Sequence, residues 1–169
     1  MIQLVCRQIV NYLMVNRKTP TNIVDPETVA IVVDQFIKQG QATSQYIGFH
    51  WNGEDQESKV GYMGKLILWS LDEHDYPLTR AEIRKSITME FERRSLSPVD
   101  QVFFDKEFNA EITLLHMIFD VISRVGDRYL FSTPLIRRWI RWTISQQDDP
   151  VKELHIGIIH DWERMNNNV

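Results

Sequence analysis

Hydrophobic residues recur every three or four positions along most of the chain, which is the spacing of helices that bury one face. Residues 1–57 show this pattern in a helix predicted over 2–16, in a second helix, and in a short third helix near Trp51. The second helix has the clearest boundaries, because Asp25 is suited to cap its N-terminus and Gly40 to end it. The sequence therefore predicts a helical segment over 1–57, which ends in a polar run.

Residues 58–146 carry three further helical patterns. The first centres on Leu66, and the third begins near Lys106. At the start of the second, Thr79 and Glu82 have the spacing of a capping box, in which each side chain satisfies a backbone N–H of the first turn. This pairing predicts a well-defined helix start.

After the third helix the pattern changes from helical to that of short strands. Residues 121–125 and 128–132 are rich in β-branched and aromatic residues. Gly126-Asp127 between them is a hairpin signal, because glycine accepts the positive φ that a type II′ turn needs at its first position. A further helix is predicted from Pro134. This order predicts a mainly α, α+β chain with a winged-helix domain over 58–146. The predicted wing residues are Arg124, Gly126, Asp127 and Arg128.

Residues 147–169 hold the excess acid of a chain whose net charge is −4. They also carry a predicted amphipathic helix, which is too short to be stable without packing on something. Either it folds back on its own domain, or it docks on a second chain or a following domain. Its predicted interaction face consists of Leu154, Ile158, Trp162 and Met165.

Composition narrows the class of protein. A chain with 43% hydrophobic and 25% charged residues can bury a globular core. It has neither an apolar run that could span a bilayer nor a signal peptide, and the single Cys6 suits a reducing compartment. We therefore expect a soluble, cytoplasmic protein without a membrane partner. The apolar face that starts at Ile2 without a cap predicts that the sequence is part of a longer protein.

No residues have the spacing of a catalytic or metal centre. His155 and His160 are five apart, unlike the i, i+4 pair of a zinc helix. The run Glu73-His74-Asp75 combines two carboxylates with an imidazole, but adjacent loop residues rarely converge on one point. We expect no catalytic residue, no enzymatic activity, and no bound metal or cofactor in this chain.

One basic and aromatic cluster is a candidate site for a partner or a nucleotide. It comprises Arg137, Arg138, Trp139, Arg141 and Trp142. Arginine forks match phosphate and carboxylate groups, so the cluster can hold either. The favoured alternative is structural: the tryptophans pack into the domain while the arginines pair with nearby acids.

DNA binding through the third helix is disfavoured on charge. The helix and the residues after it offer Lys106 against Glu107, Glu111 and Asp120. A duplex requires its phosphates to be neutralised, and the two wing arginines do not reverse this balance.

The second predicted strand and the helix start that follows it resemble a known pattern. The matching residues are Tyr129, Phe131, Pro134, Leu135, Arg138 and Trp139. The pattern is that of signal-transduction P-loop ATPases of the STAND class, whose nucleotide-binding core is followed by a helical lid and a winged-helix domain. Residues 2–10 are similar to the start of the lid, and residues 46–51 to the aromatic segment that follows it.

The sequence has no glycine-rich loop ending in Lys-Ser or Lys-Thr and no acidic pair suited to Mg²⁺. The resemblance therefore implies a non-catalytic regulatory or protein-interaction module, which couples nucleotide state elsewhere to partner binding. ATP or ADP is expected only in a longer parent protein. A protein partner or an adjacent domain is expected, and homo-oligomerisation is left open. The alternative is a winged-helix DNA-binding transcriptional regulator, and an unrecognised enzyme is the least favoured reading.

Overall fold

The computed structural model describes residues 9–10, 26–38 and 60–167. The chain divides into two compact units, Met1–Gly48 and Phe49–Val169.

In the first unit, helix α1 spans Pro26–Lys38, and the side chains of Thr28 and Val32 in this helix are buried. Residues 9 and 10 are helical, as predicted for 2–16. The rest of that helix lies outside the described residues. So do the cap at Asp25, the stop at Gly40 and the short helix near Trp51.

The second unit contains five helices, a π-helical turn and three strands within 60–167. In chain order they are α2 (Tyr62–Asp72), β1 (Leu78–Thr79), α3 (Arg80–Arg93), α4 (Gln101–Thr113), the π-helical turn (Leu114–Ile118), β2 (Ile122–Val125), β3 (Arg128–Phe131), α5 (Pro134–Ile144) and α6 (Pro150–Asn167). The described part of the chain is thus mostly helical with one small sheet, which confirms the predicted mainly α class.

Helix α2 forms the centre of this unit. Every residue from Met63 to Asp72 is buried. The helix packs against α3, α4, α5 and α6. Its sequence is apolar on nearly all sides, which is typical of a helix enclosed by others rather than one that faces water. The exposed surface of this unit is therefore formed by the elements around α2 and not by α2 itself.

The predicted helix starts are largely confirmed. At α3, Glu82 N donates to Thr79 Oγ1 at 3.2 Å, and Thr79 N donates to the Glu82 carboxylate at 2.7 Å. Helix α5 begins at Pro134 as predicted. The predicted start of α4 was too late: the helix begins at Gln101 rather than near Lys106, because the Asp100 side chain caps it by accepting from Phe103 N at 2.9 Å.

The sheet is antiparallel, with strand order β1-β3-β2. The predicted hairpin is present as β2 and β3. Gly126 has φ +65° whereas Asp127 does not have a positive φ, which fits the predicted type II′ turn. Strand β1 was not predicted. It pairs Leu78 with Tyr129, and a strand of two residues is too short to show alternation.

Helix α6 belongs to the core of the second unit. It packs on α2 and α3, and its buried residues include Val151 and His155. A side chain at Gly157 would overlap the ring of Tyr62, so the glycine allows close approach of the two helices. Of the two readings of the tail helix, folding back on its own domain describes its N-terminal half. Within the described ranges, none of the helices is both long and apolar enough to cross a bilayer.

Candidate interaction surface

Two of the predicted cluster arginines close the C-terminal end of α2. Arg137 Nε lies 3.2 Å from Asp72 Oδ1, and Arg141 Nε lies 3.0 Å from Asp72 Oδ2. Arg137 Nη2 also donates to the backbone oxygens of Asp72 and His74, each at 2.9 Å. Hydrogen bonding to Asp72 raises the pKa of Arg141. Both arginines therefore pair with an acid of α2, as expected if this part of the cluster is structural.

The other members of this cluster differ in exposure. Trp139 is 2% exposed and packs in the core, whereas Trp142 is half-buried and Arg138 is exposed. Only part of the predicted cluster therefore lies at the surface.

The predicted wing residues lie around the β2–β3 turn. Arg128 Nη1 donates to Pro77 O at 2.8 Å and lies 3.3 Å from the Glu82 carboxylate, so it ties β3 to the start of α3. Arg124 Nε donates to Gly126 O at 2.8 Å, and the turn residues Gly126 and Asp127 are exposed.

The predicted tail face is split. Leu154 and Ile158 are 3% and 2% exposed, so they belong to the core of the unit. Trp162 is half-buried and Met165 is exposed. The four residues do not form one free surface, because α6 turns the first two towards α2.

The sequence predicted an acidic outer face for α4, because its acidic residues outnumber its lysine. The structure shows which of these charges lie on the outer face. Glu111 is buried on the inner side, Glu107 is half-buried, and the Asp105 carboxylate binds Arg84 at 2.7 Å. The exposed residues of α4 are Gln101, Val102, Lys106, Asn109, Ala110 and Thr113. Only Lys106 among them is charged. Of the three acids counted from the sequence, Asp120, which follows the π-helical turn, is the one that is exposed, so the outer face is less acidic than the sequence indicated.

This outer face is also apolar at both ends. Val102 is 78% exposed, and in the π-helical turn Met117 and Ile118 are 69% and 68% exposed. The inner side of α4 carries the phenylalanines that pack in the core. The exposed apolar residues are therefore additional to a complete core, and sequence periodicity alone did not separate them from it.

A group of polar residues borders this face. The Tyr129 ring is 2% exposed, and its centroid lies 5.7 Å from the Arg80 guanidinium carbon and 5.9 Å from that of Arg124. Arg80 Nε donates to Tyr129 Oη at 3.0 Å, and Arg80 Nη1 contacts Asn109 Oδ1 at 3.4 Å. Arg80 thus links α3, β3 and α4.

Sequence reasoning missed Arg80, although one signal was present. A cation in the first turn of a helix opposes the positive end of the helix dipole, so its position there calls for another interaction. That interaction is the contact with Tyr129, a residue 49 positions along the chain.

Glu111 forms a second unusual group behind the same helix. One carboxylate oxygen accepts from Gly61 N at 3.0 Å, and the other is buried without a hydrogen-bond partner. Burial raises the pKa of Glu111 to about 7. A side chain at Gly61 or Gly64 would overlap this carboxylate, so the two glycines make room for it.

The residues considered for catalysis do not converge. His74 Nδ1 lies 2.9 Å from Ser70 O, while Asp75 binds Arg137 at 2.9 Å. His155 is buried with its Nε2 2.8 Å from Ser97 O, and His160 is exposed. Within 9–10, 26–38 and 60–167, no three metal-binding side chains gather at one point.

A cavity of about 550 Å³ lies between α2, α3 and the α5–α6 connection, with Trp69, Glu90 and Arg94 in its lining. Its charges already pair with one another. Hydrogen bonds from Arg93 and Arg94 lower the pKa of Glu90, and Arg94 also binds Asp149 at 2.6 Å. This cavity therefore offers an incoming ligand little unpaired charge.

No family model, curated protein or solved structure matches the chain. Among the surfaces above, the outer face of α4 combines exposed apolar area with two bordering arginines, Arg80 and Arg124, that have no carboxylate within 4.0 Å among residues 60–167.

Proposed function

We propose that the second unit is a winged-helix module that binds a protein partner through the outer face of α4 and carries out no catalysis. The order of its elements, helix–strand–helix–helix–strand–strand with a β1-β3-β2 sheet, supports the winged-helix assignment. The similarity of residues 129–139 to STAND-class ATPases supports a regulatory role, in which the module responds to a nucleotide bound elsewhere in a longer parent protein.

The observation that carries the proposal is the exposure of Val102, Met117 and Ile118. DNA-binding winged helices place polar and basic side chains of this helix in the major groove. Large apolar side chains gain little there, because the base edges present mainly hydrogen-bond donors and acceptors, with the thymine methyl as their apolar group. Burying these side chains against a protein stabilises the complex by roughly 25 cal/mol per Å² of apolar area, which favours a protein partner.

The test uses Met117→Asp, which places a charge at the apolar end of the proposed surface in the π-helical turn. Met89→Asp is the matched control, because Met89 is 55% exposed on α3. A partner retained from a lysate by wild type and by Met89→Asp should be lost by Met117→Asp. The affinity is then measured with the purified partner. Equal affinity of all three forms contradicts the proposed surface, and magnesium-dependent ATP turnover by the pure chain contradicts the non-catalytic role.

DNA binding is the second candidate function, and the exposed Arg80 and Arg124 beside α4 favour it. This function requires mobility shifts with duplex DNA that weaken steeply as salt is raised. Absence of binding at low salt removes it.

A further inference from the structure

We propose that Arg80, Tyr129 and Arg124 form a carboxylate-binding site, and that the segment docking on α4 is an acidic protein segment with apolar side chains. This inference rests on the proposed function and specifies the chemistry of its partner. The arrangement on which it depends is two arginines, from α3 and β2, held against one buried tyrosine ring.

The site is held in place by the fold. Strand pairing sets Arg124 directly opposite Tyr129, and β1 flanks Tyr129 on its other side through Leu78. A buried aromatic ring orients guanidinium groups through its negative face without neutralising them. The ring therefore positions both cations while their charge stays available.

The two arginines differ from the others in what they bind. Within 60–167, neither lies within 4.0 Å of a carboxylate; Arg80 binds Tyr129 and Asn109, and Arg124 binds Gly126 O. Seven other arginines each pair with an aspartate or glutamate: Arg84, Arg93, Arg94, Arg128, Arg137, Arg141 and Arg164.

Unused guanidinium N–H groups follow from these contacts. Among the described residues, Arg124 donates only from Nε, and Arg80 does not donate from Nη2. Parallel N–H groups of a guanidinium match the two oxygens of a carboxylate. Two such groups near one ring favour an oxyanion between or beside them.

The neighbouring surface decides which oxyanion is favoured. Asn109, which contacts Arg80, lies on the same outer side of α4 as Val102 and Ala110, and Met117 lies beyond the end of α4 in the π-helical turn. A partner must satisfy cations and cover apolar side chains at once. A segment with glutamate or aspartate among leucine-like residues does both, whereas a nucleic-acid backbone supplies only the charge.

The test uses the full chain and three probes: a synthetic amphipathic helix of Glu and Leu, the same helix with Gln in place of Glu, and a 20-base-pair duplex. Binding is followed by calorimetry and by the NMR signals of the arginine Nε–H groups. Wild type should bind the Glu-Leu helix at least tenfold more tightly than the Gln-Leu helix. Its Arg80 and Arg124 signals should shift.

The Arg80→Gln/Arg124→Gln double variant should bind both helices equally, whereas Arg164→Gln, a change in an exposed pair on α6, should behave as wild type. The Arg80→Lys/Arg124→Lys variant keeps the charge and should recover part of the preference. It also guards against misfolding as the cause, as does a circular dichroism spectrum of each variant.

The outcomes separate this inference from the proposed function. If Met117→Asp weakens binding of both helices while the double glutamine variant keeps the Glu-Leu preference, the carboxylate site is wrong and the α4 surface stands. If the Glu-Leu helix does not bind, or if only the duplex shifts the arginine signals, the inference is overturned.

Discussion

Glu111 accepts a hydrogen bond of 3.0 Å from the backbone N–H of Gly61, at the N-terminus of the central helix α2. The contact joins α4 to α2 across 50 residues of sequence. Because the second carboxylate oxygen has no hydrogen-bond partner, burial is incompletely compensated. Burial is the main cause that raises the pKa of Glu111 to about 7. The Gly61 hydrogen bond and Lys65 lower this pKa, and Glu107 and Asp161 raise it further.

The first prediction concerns the pH dependence of stability. The pKa of Glu111 rises from 4.5 to about 7 in the folded protein, so the folded state binds the proton more tightly. The stabilisation is complete below pH 4.5 and is lost as pH rises through about 7, a change on the order of 3 kcal/mol. Glu111→Gln should remove this slope in urea unfolding at pH 5 and pH 8. Glu92→Gln, at an exposed position of α3, is the control, and the idea fails if both variants keep the wild-type slope.

The second prediction concerns the space in front of this carboxylate. Gly64→Ala adds a side chain that would overlap both Glu111 and Val60, although alanine is the better helix former by about 1 kcal/mol. We expect a net loss of stability of about 1–3 kcal/mol from overpacking. Combining it with Glu111→Ala should recover part of that loss, because the overlap with the carboxylate is removed. A double-mutant cycle by thermal melting measures the coupling, and additive effects would exclude it.

The third prediction concerns Asp72, whose side chain is 9% exposed and binds Arg137 and Arg141. Asp72→Asn removes the carboxylate that both guanidinium groups bind. Because these guanidinium groups remain in contact with water, the cost should be about 1.5–3 kcal/mol of unfolding free energy, as for hydrogen bonds to charged groups. Asp75→Asn removes a carboxylate that is 94% exposed and contacts the same Arg137, so the melting temperature should hardly change. Equal effects of the two substitutions would show that burial does not set the strength of this contact.

The fourth prediction concerns Trp139, which is 2% exposed. Trp139→Ala should destabilise the fold by about 3–5 kcal/mol, because it leaves a large cavity in the core. Met165→Ala removes a side chain that is 43% exposed and is the control. An unchanged denaturation midpoint for Trp139→Ala would contradict the packing of α5 on the core.

Signals from residues close in sequence were reliable guides to this fold. The capping box of Thr79 and Glu82 and the Gly126-Asp127 turn were predicted and are present. In each case a few neighbouring residues contain both partners of the interaction. The start of α4 was predicted too late, since Asp100, six residues before Lys106, caps the helix.

Residues close in sequence were sufficient to predict the mainly helical class, the hairpin and the starts of α3 and α5, since backbone geometry and capping depend on neighbouring residues. Tertiary packing, in contrast, sets three contacts: Glu111 with Gly61, Arg137 and Arg141 with Asp72, and Arg80 with Tyr129. The residues of each pair lie some fifty to seventy positions apart in the sequence. Many other acidic and basic residues have equally suitable local sequences, so the packing around α2 decides which of them come into contact.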